Sequence, residues 1–281
     1  MVQLPTSGWL ATRVASPVPW SGRLVDLVAD DEDVVAVHTD GKRSHLVRWS
    51  PEGVSEVDGG ASGHSPFFVQ GTLHWLRGTE LMREDPEGPV VVLTAPSLAF
   101  PAVSSDGYSL VVGKGLEFYD VRGSARSRLD LPEPLQHAAW SGAELVFTRL
   151  SVGDADLWSW REGVLTARVD SAQAELRPAF DAEGALWYVV EDTPGVYDLV
   201  HGDHVVAPDV GLSTRQGPSL RGDAAVVAAS EPGTVLLVRP EDLTEVITGL
   251  PSAVDPVWVG EDIVFGDADG LVRLQMTLTE G

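Results

Sequence analysis

Phe100-Pro101-Ala102-Val103-Ser104-Ser105-Asp106-Gly107 holds the fold in miniature: an apolar run marked by proline, then a polar turn that ends in Asp-Gly. Four further segments begin the same way, with proline second: Ser65-Pro66-Phe67-Phe68, Arg177-Pro178-Ala179-Phe180, Gly217-Pro218-Ser219-Leu220 and Asp255-Pro256-Val257-Trp258. His137-Ala138-Ala139-Trp140 keeps the pattern without the proline, and Val25-Asp26-Leu27-Val28 is a weaker first copy. Counted on the fourth residue of each copy, successive segments lie 40, 35, 37, 40, 40 and 38 residues apart. A repeat of that length matches one four-stranded blade of a β-propeller.

The residues after each anchor repeat as well. A second apolar run comes after the turn, as in Leu145 to Arg149 or Leu186 to Val190, and then a third, as in Leu157 to Arg161. Six units also show a fourth run, among them Val90 to Thr94 and His204 to Asp209. Short Val-, Leu-, Trp- and Phe-rich runs between Gly, Asp, Pro and Ser clusters are strand-and-turn chemistry, and no dozen residues sustain a helical apolar period. The seventh unit reaches Gly281 without a fourth run, whereas Trp9 to Ala15 is strand-like and precedes the first blade. Residues 9–15 are therefore expected to supply the outer strand of the last blade, which closes the ring and removes its exposed edges. The expected fold is all-β: a seven-bladed propeller of four-stranded antiparallel blades in a single domain over 1–281. Its blades begin near residues 25, 65, 100, 137, 177, 217 and 255.

Composition narrows the function. The net charge is −23, from 42 acidic against 19 basic residues, and such a surface repels phosphate backbones, so no nucleic-acid partner is expected. No apolar stretch is long enough to span a bilayer as a helix, and no membrane partner is expected. Cysteine is absent, which removes disulfides and thiolate metal sites. With no basic and apolar leader at the amino terminus, a cytoplasmic location is the expectation.

The repeat resembles the WD40-like PD40 propellers of TolB and of the amino-terminal halves of prolyl-oligopeptidase-type peptidases. Their recurrent core reads approximately Pro-x-Trp-Ser-Pro-Asp-Gly. The copies carrying the likeness are Phe100 to Gly107, Arg177-Pro-Ala-Phe-Asp-Ala-Glu-Gly184 and His137-Ala-Ala-Trp-Ser-Gly142. Arg177 to Val190 is also similar to the propeller of actinobacterial LpqB-type lipoproteins, without their lipid-bearing cysteine. The resemblance implies a scaffold for partners, or an accessory propeller that works with a separately encoded hydrolase. In the peptidases the chemistry sits on a Gly-x-Ser-x-Gly elbow in another domain. Here Gly107-Tyr108-Ser109-Leu110-Val111 and Gly211-Leu212-Ser213-Thr214-Arg215 both lack the final glycine.

In a propeller the first strand of each blade lines the central channel, and its starting residue lies at the mouth. The residue three before each anchor gives the ring Val25, Ser65, Phe100, His137, Arg177, Gly217 and Asp255, with His64, Gln136 and Gln216 beside it. Ser65, Phe100, His137, Arg177 and Asp255 are the candidate ligand-binding residues. Arg177, His137 and Asp255 are expected to converge on a small anionic or polar group such as a peptide terminus, since arginine offers a planar fork and histidine titrates near neutrality. The bland alternative is that Arg177 and Asp255 satisfy each other across the channel.

Other constellations are weaker. Gly266-Asp267-Ala268-Asp269-Gly270 has two carboxylates at calcium-loop spacing but no closing glutamate, and Asp30-Asp31-Glu32-Asp33 reads as a solvated turn. The histidines show no metal spacing, so no metal and no cofactor are expected. Most tryptophans read as packing between blades, with Trp75 and Trp160 able to face solvent. No catalytic residue is assigned. The leading reading is a non-catalytic propeller that binds a peptide or protein. An oligopeptidase-type accessory and a propeller lyase or hydrolase using His137 and Asp255 stand as alternatives.

Overall fold

The computed structural model describes residues 9–14, 23–30, 33–50, 53–57, 63–131, 133–152, 154–211, 217–240, 245–248, 250, 253–267 and 269–276. Seven four-stranded antiparallel sheets form a ring. From the channel outward, blade 1 is Arg23–Asp30, Asp33–Thr39, Ser44–Ser50 and Gly53–Val57, and blade 2 is His64–Val69, Thr72–Arg77, Glu80–Arg83 and Val90–Thr94. Blade 3 is Leu98–Ser104, Gly107–Val112, Gly115–Asp120 and Ala125–Asp130, and blade 4 is Leu135–Ser141, Glu144–Ser151, Asp154–Arg161 and Val164–Val169. Blade 5 is Ala174–Phe180, Leu186–Thr193, Val196–His201 and His204–Val210, and blade 6 is Ser219–Arg221, Ala224–Ala228, Val235–Val238 and Glu245–Ile247. Blade 7 is Val254–Val259, Asp262–Asp267 and Gly270–Met276, completed by Trp9–Arg13.

The closing strand pairs antiparallel with Gly270–Met276, Trp9 opposite Met276 and Arg13 opposite Val272. It ends as a strand at Arg13, the Val14 amide still donates to the Leu271 carbonyl, and Ala15 lies outside the described residues. Arg13 locks the junction: its two terminal nitrogens bond the two carboxylate oxygens of Asp267 at 2.8 and 2.5 Å. Asp267, which the sequence places in a calcium-like loop, is thus the anchor of the closure.

Burial tracks the radial order. The second strands Gly107–Val112 and Asp262–Asp267 are buried throughout, whereas the outer strands Ala125–Asp130 and Val164–Val169 are largely exposed. Among the described residues the core divides into seven apolar clusters, each bridging one pair of neighbouring blades. Val35, Leu46, Leu73 and Trp75 join blades 1 and 2; Trp9, Leu237, Ile263 and Phe265 join blades 6 and 7; Leu27, Val34, Val257 and Val264 join blade 7 to blade 1. Stability therefore resides between sheets, where neighbouring faces interdigitate and exclude water. Trp75 is fully buried in such a cluster, as expected of packing between blades and not in the solvent-facing alternative, and Trp160 is half-buried, stacked on Phe118 with centroids 4.7 Å apart.

One core position is electrostatically unfavourable. Glu175 is 1% exposed on the inner strand of blade 5, accepts a hydrogen bond from the Ser171 hydroxyl, and lies near Asp154, Asp156 and Asp170. Burial foremost, then those acids, raises its pKa above the ordinary value, with Ser171 opposing. A folded-state pKa raised above the unfolded one stabilises the fold at low pH, and that contribution is lost as pH rises through the folded value. Glu175→Gln keeps the Ser171 bond and is expected to raise the melting temperature at pH 7, the gain vanishing below pH ~4, where glutamate is protonated in the unfolded chain too. Melting curves of both proteins across that range check this. An equal gain at pH 7 and pH 4 contradicts it.

Candidate functional site

The inner strands touch one another in sequence around the ring, blade 7 to blade 1 included, and enclose a central channel of about 950 Å3. Half-buried Phe68, Phe100, Trp140, Phe180 and Trp258 line it together with Arg177, Asp26, Asp30 and Ser65. The walls therefore mix aromatic faces with polar and charged groups, the polar share of the lining being the larger.

The anchor motif acquires a physical meaning here. Register shifts fall at Leu24/Asp26, His64/Phe67, Ala99/Ala102, Gln136/Ala138, Leu176/Ala179 and Val254/Val257, so six inner strands bulge at the first residue of the motif. In five of them that residue is left-handed: Ser65 at φ 48°, Phe100 at 46°, His137 at 38°, Arg177 at 56° and Asp255 at 48°. A bulged residue drops out of the ladder, and a proline behind it removes an amide the ladder no longer uses. The second-position prolines mark these bulges. All five candidate residues thus occupy equivalent places, four of them lining the channel, Asp255 lining an adjoining annex, and Arg177 lining both.

They divide into two groups. On one side His64 Nδ1 lies 3.2 Å from the Ser65 hydroxyl, and Phe100 meets His137 edge-on with centroids 5.0 Å apart. On the other, Arg177 is 6% exposed and its pKa is pushed down to about 10, chiefly by burial, while the charges of Asp255 and Asp26 and the Tyr197 hydroxyl oppose the shift. Arg177 and Asp255 are thus neighbours although two blades apart, and His137 packs with Phe100. Gln216 lies outside the described residues.

Asp26 is the residue that sequence reasoning missed. It is 3% exposed, lines the channel and acts on Arg177 from blade 1. A signal existed: Asp26 stands at the second motif position, which holds proline in five copies and alanine in one. A carboxylate in a slot otherwise apolar is costly to bury without a partner.

Gly217 makes the second departure. A Cβ there would lie 2.8 Å from the Arg177 carbonyl oxygen and 3.1 Å from that of Pro178, so blade 6 places no side chain on the ring. Beside this gap an annex of about 180 Å3 opens, walled by Leu27, Val189, Val210, Val227, Ala229 and Val254, with Arg177 and Asp255 also in its lining.

Other candidate groups serve the fold. Asp181 holds its turn by accepting from the Glu183 and Ala185 amides at 3.0 and 2.8 Å, and accepts from the Trp187 indole at 3.1 Å with His201 at 3.4 Å. Burial pushes His74 down to about 4, so it is neutral beside Phe67 and Tyr108. Asp33 of the acidic turn accepts from Arg48, which also reaches Glu84 of blade 2 at 2.6 Å. Among the described residues no group of three or more His, Cys, Asp or Glu is arranged to hold a metal.

No family model matches the sequence, and no curated protein matches it significantly. Solved structures do match the fold. Virginiamycin B lyase from Staphylococcus aureus superposes with a TM-score of 0.71 at 13% identity, over 95% of this chain and 98% of that one. YCF48 bound to D1 peptide gives 0.66 at 12%, over 96% and 97%. TolB from Acinetobacter baumannii gives 0.58 at 14%, over 86% of this chain and 63% of its own. The chain is a seven-bladed β-propeller, and at these identities the likeness extends to the fold alone.

Proposed function

We propose that this chain is a non-catalytic binding propeller whose channel mouth, through Ser65, Phe100, His137, Arg177 and Asp255, takes a peptide or a segment of a protein partner. The observation behind this reading is the backbone strain on the ring. A left-handed non-glycine residue costs about 1–2 kcal/mol, and glycine would adopt the same φ without that penalty. Five blades nevertheless keep a side chain there, with serine, phenylalanine, histidine, arginine and aspartate in place of glycine. Strain retained at equivalent positions around a cavity points to side chains kept for contact. Rigid closure also presents several loops at fixed spacing, which suits recognition of an extended ligand. Propellers of similar fold bind such ligands, YCF48 having been solved with D1 peptide. Proton transfer is the weaker reading, because His137 faces Phe100 while Asp255 acts on Arg177, and acid–base work needs both within reach of one substrate atom. A separately encoded hydrolase, which the sequence resemblance implies, is one protein from which a bound segment could come.

His137→Gly separates binding from folding. It relieves the left-handed strain and is expected to melt within about 1 kcal/mol of the unsubstituted protein, since glycine's greater unfolded-state freedom offsets part of the relief. Against a pooled library of carboxy-labelled tetrapeptides read by fluorescence polarisation, the parent protein should retain a subset of peptides and His137→Gly should lose it. Equal retention by both, with Phe100→Gly also without effect, removes the ring from the binding surface.

A further inference from the structure

Four acids gather at the seam between blades 4 and 5. Strand Asp154–Arg161 of blade 4 lies against the inner strand Ala174–Phe180 of blade 5, and Asp154, Asp156 and Asp170 act on the Glu175 carboxylate there. We propose that this seam binds a guanidinium, the arginine side chain of a protein partner, at a site separate from the channel mouth and independent of that reading. Glu175 is 1% exposed; its Oε1 accepts from the Ser171 hydroxyl, whereas its Oε2 accepts no hydrogen bond from the described residues. Asp156 Oδ1 is buried in the same condition. Buried carboxylate oxygens without donors are costly. A neutral donor would satisfy the oxygens yet leave the mutual repulsion of four carboxylates, which a cation offsets.

The chain's own cation at this place is engaged elsewhere. Arg149 acts on Asp156, but its Nε donates to Glu133 and its guanidinium lies over the Trp158 ring, 4.1 Å from the centroid. Between residues 131 and 211 the undescribed positions are Pro132 and Gly153, and neither carries a charge. A metal ion would need several oxygens within about 2.0–2.6 Å of one point, and among the described residues no three acids are so arranged. A guanidinium suits carboxylates that stand further apart, because its five N–H donors spread in a planar fork. The rim is open, with Asp170 and Ser171 exposed and Asp154 and Asp156 half-buried above Glu175. Val152, at the tip of the hairpin that leads into Asp154, is fully exposed and gives the segment carrying the arginine an apolar contact. The stability that Glu175 costs at neutral pH is the mark of a group held for contact at the expense of folding.

The probe is N-acetyl-arginine amide, titrated into 15N-labelled protein beside N-acetyl-citrulline amide, which has the same shape without the charge. The readout is the indole cross-peak of Trp158, a neighbour of Asp156, assigned by its loss in Trp158→Phe. Arginine is expected to move this peak saturably and citrulline to bind at least ~10-fold more weakly, since hydrogen bonds between charged groups are the strong ones. Glu175→Gln and Asp156→Asn should each weaken arginine binding roughly 10-fold. Because Glu175→Gln is also expected to raise the melting temperature, its weaker binding would not reflect a damaged fold. Glu231→Gln, which removes an exposed acid of blade 6, should leave binding unchanged and so separates the seam from general attraction to an acidic protein. A Trp158 peak that does not move, an equal response to citrulline, parent-like binding by Glu175→Gln, or an equal loss in Glu231→Gln each overturns the inference. None of these results bears on the channel mouth, which His137→Gly tests separately.

Discussion

Trp9→Ala should destabilise the protein by about 3–5 kcal/mol, the cost of truncating a fully packed aromatic side chain. Trp9 is 4% exposed and lies in the cluster that joins blades 6 and 7, with Leu237, Ile263 and Phe265. The strand it begins is only five residues long, and its side-chain anchors are Trp9, Ala11 and the Arg13–Asp267 pair. Loss of one anchor exposes the edge of Gly270–Met276 and weakens the one joint where the ring is closed by segments far apart in sequence. Arg13→Met should cost about 3 kcal/mol for a separate reason, since it leaves Asp267, 4% exposed, without its guanidinium. Urea denaturation measures both. A Trp9→Ala protein within about 1 kcal/mol of its parent would mean that the closing strand contributes little.

Arg177→Met should cost a comparable 3–5 kcal/mol, because Asp255 and Asp26 are 8% and 3% exposed and would stay buried near an apolar side chain. The same principle predicts rescue. Arg177→Met combined with Asp26→Asn and Asp255→Asn removes the uncompensated charge and should return to within about 2 kcal/mol of the parent. Non-additivity of that size is the signature of residues acting as one unit. If the three substitutions simply add, Arg177 is not balanced by these acids. In binding studies Arg177→Ala therefore confounds lost contact with lost fold, whereas His137→Gly does not.

The ring was legible in the sequence because a propeller repeats one local solution. Proline after a bulge and a polar turn after an apolar run recur every 35 to 40 residues, and each repeat is dictated by local backbone geometry. The closing strand was legible for a topological reason, since a seventh blade lacking an outer run and an unattached run at Trp9 imply each other. The five candidate residues were found by the same periodicity, which places Ser65, Phe100, His137, Arg177 and Asp255 at one structural position.

What periodicity could not supply was contact between repeats. Asp26 acts on Arg177 only when the ring brings blades 1 and 5 to one channel, and no local pattern encodes that approach. Gly217 appeared in the sequence as one more ring member, yet its importance lies in the side chain it lacks. Trp75 shows the same limit: packing between blades and exposure both stood open for it, and Val35, Val37 and Leu46 of blade 1 decide for packing. The neighbours of Arg177 across the channel were therefore hidden until the blades were assembled.

Crystals grown with a tetrapeptide that the parent protein retains from the pooled library would show directly where a peptide lies on this propeller. Density is expected in the channel, against the ring of Ser65, Phe100, His137, Arg177 and Asp255. Peptide density laid along an outer strand of a blade, with the channel free of it, would contradict a channel-mouth site.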